Sequence, residues 1–286
     1  MRRALVTCGL VVCLAAPLFA QDQQDDPFAS IPWQEGPVLG DLGDEAQVRV
    51  PGSCLFTGED GTKQFLELTQ NPTNGQERGV LFCKVESQGE VTGSWFVVFE
   101  YDRSGYVKDD EKDKLDADGI LTSLREGNDA ANEERERRGW SRLDLVGWER
   151  APYYDAATHN LTWAIRTSSP DGGQGLNHSV RVLGRGGVMS ADLVADPTDY
   201  ATALATFNSV LTGFEFKTGH RYAEWREGDK IAKYGLTALV AGGAGALAAK
   251  SGVLAKLWKV IVAGLVAAGA VIKRFFTGRK DEPAQA

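Results

Sequence analysis

Apolar and polar positions change rhythm several times along the 286 residues. Residues 47–50 begin a strand that Pro51-Gly52 turns. Residues 59–69 carry Phe65, Leu66 and Leu68 at near-helical spacing and run into Asn71-Pro72, where a helix cannot continue. Strand signals return at 79–85. They are strongest at 94–101, aromatic and β-branched, with Asp102-Arg103-Ser104-Gly105 as the turn and 106–108 as the returning piece. A charged stretch over 109–118 follows, in which Asp116 or Asp118 caps a helix predicted to reach Arg138. Ile120, Leu121 and Leu124 face inward in that helix, residues 133–138 form its solvated charged end, and Gly139 stops it. A β-meander comes next. Residues 143–148 pair with a strand around Tyr153-Tyr154, a polar turn over 155–160 leads into 161–166, and 177–183 with 188–194 form a hairpin about 184–187. Residues 200–211 read as a helix with Leu204, Phe207 and Leu211 on one face, and 214–216 as a last edge strand. This order predicts an α+β fold, a mainly antiparallel sheet with about three helices.

The rhythm disappears at the C-terminal end. Residues 234–272 are apolar and Gly/Ala-rich, and stop at Lys273-Arg274-Phe275-Phe276. A membrane-crossing helix needs about 20 mainly apolar residues. Two segments compete for that role, 234–249 and 253–272, separated by Lys250-Ser251-Gly252. Lys256 and Lys259 can snorkel to head groups, and Trp258 suits the same interface. Small residues at four-residue spacing (Ala238, Gly242 and Ala246; Gly264 and Ala268) let helices approach closely in lipid. One pass leaves Lys273, Arg274, Arg279 and Lys280 inside, as the positive-inside bias prefers; a two-helix hairpin strands them outside. Both topologies stay open. A soluble core helix pair fits poorly with so few acidic residues, and a helix lying flat fits poorly with apolar positions on every side.

At the other end Met1-Arg2-Arg3, the apolar stretch 4–19 and Ala20 followed by Asp22, Asp25 and Asp26 make a signal-peptide pattern, with an uncut anchor as the alternative. The organisation predicted is therefore a signal peptide over 1–20, a flexible lead-in over 21–46 and an exported domain over 47–229. A membrane anchor over 230–276, one helix or a hairpin, and a polar tail over 277–286 complete it. Such a chain sits in the inner (cytoplasmic) membrane with its main domain on the periplasmic side.

Charge sharpens the division. The whole chain is formally −8. From Lys230 onward nine Lys/Arg stand against Asp281 and Glu282; with Arg2 and Arg3 set aside, 20 basic and 37 acidic groups remain over 21–229, or −17. An acidic exterior argues against nucleic acid as a partner. In an oxidising compartment Cys54 and Cys83 can pair or stay as buried thiols. No CxxC or Cys/His cluster indicates a metal, and no motif indicates a cofactor. The stretch 114–119 lacks two ligands of a calcium loop, and 243–251 lacks the glycines of a phosphate loop. His159 sits in the 155–160 turn, where Asp155 can orient it as a general base for Ser190 or Ser179, although no nucleophile-elbow motif is present. Arg181 and Arg185 can hold a carboxylate or phosphate, or simply face solvent. Trp33, in the lead-in, is free to reach a partner.

Four blocks carry a resemblance. They are WFVVFEY at 95–101 with GYVKDD at 105–110; LVGW at 145–148 with Tyr154-Asp155 and THNLTWA at 158–164; RVLGR at 181–185 with GVM at 187–189; and GHRYA at 219–223 with DKIA at 229–232 and YGL at 234–236. Together they resemble the bacterial DUF2167 family, known as membrane-anchored proteins of unknown function. The resemblance implies an exported domain with a C-terminal membrane segment, and implies no catalytic residues. The function expected is a non-enzymatic interaction module. Its partners are lipid, through the C-terminal helices, and an envelope protein or a second copy. An envelope hydrolase using Asp155 and His159, or a ligand sensor signalling through the anchor, are the alternatives.

Overall fold

The computed structural model describes residues 27–87 and 90–241. The expected signal peptide, residues 242–276 of the expected anchor and the polar tail lie outside the described residues. A 3-10 turn at Pro27–Ser30 precedes β1 (Gln34–Glu35), β2 (Val38–Leu42), β3 (Ala46–Val50) and β4 (Cys54–Gly58). Next come α1 (Glu59–Leu68), β5 (Glu77–Ser87), β6 (Glu90–Asp102) and α2 (Ala117–Arg137). The meander β7 (Asp144–Asp155), β8 (Asn160–Ser168), β9 (Gln174–Leu183) and β10 (Val188–Ala195) follows. α3 (Tyr200–Thr212), β11 (Phe214–Phe216), a 3-10 turn at Tyr222–Glu224 and α4 (Leu236–Val240) close the described chain. Eight strands make one sheet in the order β1-β4-β5-β6-β10-β9-β8-β7, and β11-β3-β2 make a small one. Every strand pairing is antiparallel, so the α+β architecture read from the element order is the one formed.

Strand alternation sends the two faces of the large sheet to different covers. On one face Trp95, Val97, Phe99 and Leu193 pack against α3 and the small sheet through Phe207, Val48 and Phe216. The opposite face is covered at both ends. α1 lies over Val80, Phe82, Phe96 and Val98; α2 and α4 lie over Leu161, Trp163 and Ile165. The central strand β6 is buried on both faces, which is why residues 95–99 read as an unbroken apolar run.

Several expectations need correction. The described part of the lead-in, residues 27–46, is built into the fold. β1 pairs with β4, β2 pairs with β3, and Phe28 and Ile31 are buried beside Phe65. Its polar composition concealed this because alternate residues of β2 point outward, leaving only Gly40 and Leu42 buried. Trp33 packs edge-on to Phe65 at 6.0 Å and donates Nε1–H to Phe28 O at 3.1 Å, so it is part of the α1 core. Residues 144–148 and Tyr153-Tyr154 belong to one strand, β7. As the outermost strand it accommodates Pro152 through register shifts instead of turning back. Residues 106–108 form no return strand; Tyr106 makes a single parallel bridge to Ile231. α3 turns Ala203, Phe207 and Val210 inward, with Leu204 and Leu211 at its margin.

Cys54 and Cys83 lie directly opposite each other on β4 and β5 and are joined by a disulfide. The start of the expected anchor, residues 230–241, is packed into the domain. Leu236, Leu239 and Val240 are buried beside Ile120 and Leu124. Among the described residues no helix is long and apolar enough to cross a membrane.

Candidate functional site

Between the α1 cover and the α2/α4 cover the large sheet carries a strip of polar side chains. Glu77 and Glu100 face each other across β5 and β6, next to a register shift that ends the regular ladder. Both are buried. The Glu77 oxygens accept from the backbone N–H groups of Asn74 and Gly75 at 2.5 and 2.9 Å. Asn74 Nδ2 donates to Glu100 Oε1 at 3.2 Å. Burial first, then the nearby Asp192 charge, outweigh the pull of Arg181 and push the Glu100 carboxyl up to about 8. It therefore holds its proton at neutral pH. Arg181, on β9 one strand beyond β10, is not on a solvent face: it is 4% exposed. Its Nη1 donates to Asp192 Oδ1 at 2.9 Å, and its guanidinium lies 4.8 Å from the Trp163 ring centre. Ser179 Oγ donates to the same Asp192 oxygen at 2.5 Å. The Trp163 indole N–H has no hydrogen-bond partner among the described residues.

The histidine constellation differs from the one predicted. Asp155 accepts from Ala157 N and Thr158 Oγ1, both at 2.9 Å, so it caps its own turn rather than orienting His159. Those bonds, the Ala157 N–H foremost, hold its carboxyl below the usual range. His159, at φ 54°, instead places Nδ1 3.1 Å from the Tyr154 hydroxyl, which donates to Asp109 Oδ2 at 3.2 Å. The single hydroxyl proton goes to Asp109, so His159 Nδ1–H is the donor of the first bond. Burial, reinforced by Asp109, holds the Tyr154 hydroxyl above its ordinary range. Tyr222 stacks under His159 and against Tyr106, with 4.4 Å between ring centres in each case. Among the described residues no hydrogen bond joins His159 to Ser179 or Ser190. Ser179 is taken by Asp192, and Ser190 lies opposite Glu100 and Arg181 in mid-sheet. His178 is buried, with Nδ1 2.8 Å from the Tyr200 hydroxyl, and burial pushes it down to about 4.

The same end of the domain grips residues 229–237. Arg185 binds Asp229 through two N–H···O contacts of 2.7 Å, so it holds a carboxylate of its own chain. Tyr106 N donates to Lys230 O at 2.8 Å, and Ala232 N to Tyr106 O at 2.9 Å. The Tyr234 hydroxyl donates to Asp102, and Thr237 N donates to Glu111 Oε2 at 2.9 Å. Gly105, at φ +104°, makes this approach possible: a Cβ there would lie 2.6 Å from Lys230 O. Among the described residues no group of three or more His, Cys, Asp or Glu is placed to hold a metal.

The four sequence blocks meet here. Gly105-Tyr106 from the first binds Lys230 and Ala232 from the fourth, Arg185 from the third binds Asp229, and His159 from the second stacks on Tyr222. The sequence profile of the family described as "Protein of unknown function (DUF2167)" matches residues 34–273. The chain belongs to the DUF2167 family. No curated protein matches this DUF2167 chain in sequence. Among solved structures it is similar to cyanobacterial PsbP (CyanoP) from Synechocystis sp. PCC 6803, at 14% identity and a TM-score of 0.36, over 65% of this chain and 92% of that one. It is also similar to PA94 of Pseudomonas aeruginosa, a protein of unknown function, at 13% and 0.27, over 60% of this chain and 91% of that one. A third is the Ran-binding protein Mog1p of Saccharomyces cerevisiae, at 9% and 0.31, over 63% and 96%.

The residues that sequence reasoning missed are Asp109, Tyr154, Tyr222 and the Glu77/Glu100 pair. Glu100 sits in an otherwise apolar strand, WFVVFEY, and an acid in such a place was the available signal. Nothing in the spacing of Asp109 and Tyr154, 45 residues apart, announces their contact.

Proposed function

We propose that this DUF2167 protein is an exported envelope protein, held at the inner membrane by its C-terminal apolar run, whose periplasmic domain acts by binding rather than by catalysis. The observation that carries the reading is the grip on residues 229–241, which packs the first residues of the apolar run against the domain. The Cys54–Cys83 disulfide suits an oxidising compartment, and the net −17 over residues 21–229 disfavours nucleic acid. The grip also bears on topology. With Leu236, Leu239 and Val240 held in the domain core, only residues 242–249 of the first apolar segment remain for a crossing, far fewer than the about 20 that one needs. Residues 253–272 match that span, so the chain crosses once and its basic tail lies inside. Lipid around that helix and an envelope protein or second copy, met through Gly264 and Ala268, are the partners this predicts.

The hydrolase reading is weaker, since Asp155 does not orient His159 and neither serine reaches it. The sensor alternative gains from the grip, because a movement of the domain would reach the start of the apolar run directly.

Expression of the full chain with a C-terminal epitope tests this. The protein should resist alkaline extraction and dissolve only in detergent. In intact spheroplasts protease should reach the domain but not the epitope. A digested epitope replaces the single pass with a hairpin, and recovery in the soluble fraction removes the anchor altogether.

A further inference from the structure

We propose that the cavity between β2 and the outer strands of the large sheet binds a carboxylate carried on a short apolar body. The cavity measures about 460 Å³, within the range of small-molecule sites. Leu39 and Phe56 supply its apolar wall, Arg78 its charge, and Asp41, Gly43 and Glu59 border it. Leu39 is 51% exposed, a large apolar side chain with little of its own chain over it. The Phe56 ring is held in place by two glycines. A Cβ at Gly40 would come within 2.9 Å of it and one at Gly79 within 2.7 Å.

The Arg78 side chain is only 10% exposed, and its ion-pair partner is shared. Glu45 stands 3.5 Å from Arg78 Nε but 2.6 Å from Arg103 Nη2, so two guanidinium groups divide one buried carboxylate. Arg78 Nη1 donates to Glu77 O at 2.8 Å, which brings no negative charge. Arg103 takes the shorter contact but is 66% exposed, so water screens its charge, while the covered Arg78 is held by this carboxylate only at 3.5 Å. The bordering acids are each paired with a lysine, Asp41 with Lys217 at 2.8 Å and Glu59 with Lys63 at 2.6 Å, and Glu59 also feels the Arg78 charge. Gly43 keeps the approach clear. At φ +78° it lies over Arg78, and a Cβ there would stand 3.0 Å from Arg78 Cδ and 3.1 Å from Glu45 Oε2.

A buried, under-neutralised guanidinium carries an electrostatic cost that an incoming carboxylate offsets, through the planar fork that distinguishes Arg from Lys. The apolar body then covers the exposed Leu39. An N-acylated hydrophobic amino acid and the C-terminus of a peptide ending in an aliphatic residue share this chemistry. The site uses no residue of the C-terminal junction, so its fate is separate from that of the anchor reading.

The test is titration calorimetry on the full chain in lipid nanodiscs, with N-acetyl-L-leucine, its amide and acetyl-Ala-Ala-Leu as probes. The acid should bind and the amide should bind at least about tenfold more weakly. Leu39→Glu, at an exposed position, should abolish binding with the melting temperature unchanged. Arg78→Met should do the same if it folds. A tripeptide that binds about tenfold tighter than the free acid identifies a chain end as the ligand, and equal affinities identify a small acid. Equal binding of acid and amide, undiminished binding by Leu39→Glu, or no heat from any probe at about 10 mM overturns the proposal.

Discussion

Replacing Glu100 by Gln keeps the side chain's shape and its acceptor for Asn74 Nδ2, and removes only its proton equilibrium. The native carboxyl is pushed from 4.5 up to about 8, chiefly by burial, with Asp192 and Glu77 adding to it and Arg181 opposing. Between those pH values the folded protein keeps a proton that the unfolded chain has released. Proton uptake on folding makes unfolding free energy fall as pH rises, at about 1.4 kcal/mol per unit. His178 acts with the opposite sign. It is pushed from 6.5 down to about 4, so the unfolded chain holds the extra proton and stability rises through that interval. The two slopes oppose each other below pH 6.5, and Glu100 acts alone from there to pH 8. That interval is worth about 2 kcal/mol, or about 4–8 °C of melting temperature for a domain of this size. Melting followed by near-ultraviolet circular dichroism at pH 6.5 and pH 8 measures it. The wild-type protein should lose stability across the interval, and Glu100→Gln should lose far less and be the more stable at pH 8. Equal losses in the two proteins would refute the assignment of a proton to Glu100.

Two further substitutions address the scaffold. Cys54→Ala with Cys83→Ala opens a loop of 29 residues and should cost about 3.5 kcal/mol by the chain-entropy relation, read from urea denaturation; an unchanged midpoint would mean that the unfolded state is already restricted. Gly79→Ala drives a Cβ to 2.7 Å from the Phe56 ring and 2.8 Å from Leu42 Cδ2, and should cost about 1–3 kcal/mol in the same assay, whereas a neutral result would show that Phe56 has room to move.

The elements legible in the sequence were those signalled by neighbouring residues. Asp116 caps α2 by accepting from Gly119 N, as its place before an amphipathic run implied. Gly139 ends that helix region at φ 70°, and the four residues between β9 and β10 make the hairpin turn. The lead-in was misread because polar residues alternate outward on β2, and β7 was read as two strands because the register shifts of an edge strand interrupt its pattern.

By itself, the sequence determined most of the helices and strands, the turn between β9 and β10, which segment is acidic and which apolar, and the family, because each is written in spacing or composition over a few neighbouring residues. Only the tertiary structure decided that Arg181 is covered, that Glu100 is buried with its carboxyl raised, and that His159 answers to Tyr154 and Asp109 rather than Asp155. It alone also decided that residues 236–241 belong to the domain core. The physical reason is common to all four. Burial and charge at a side chain depend on what covers the far face of its strand, and here that cover comes from segments tens of residues away in the chain.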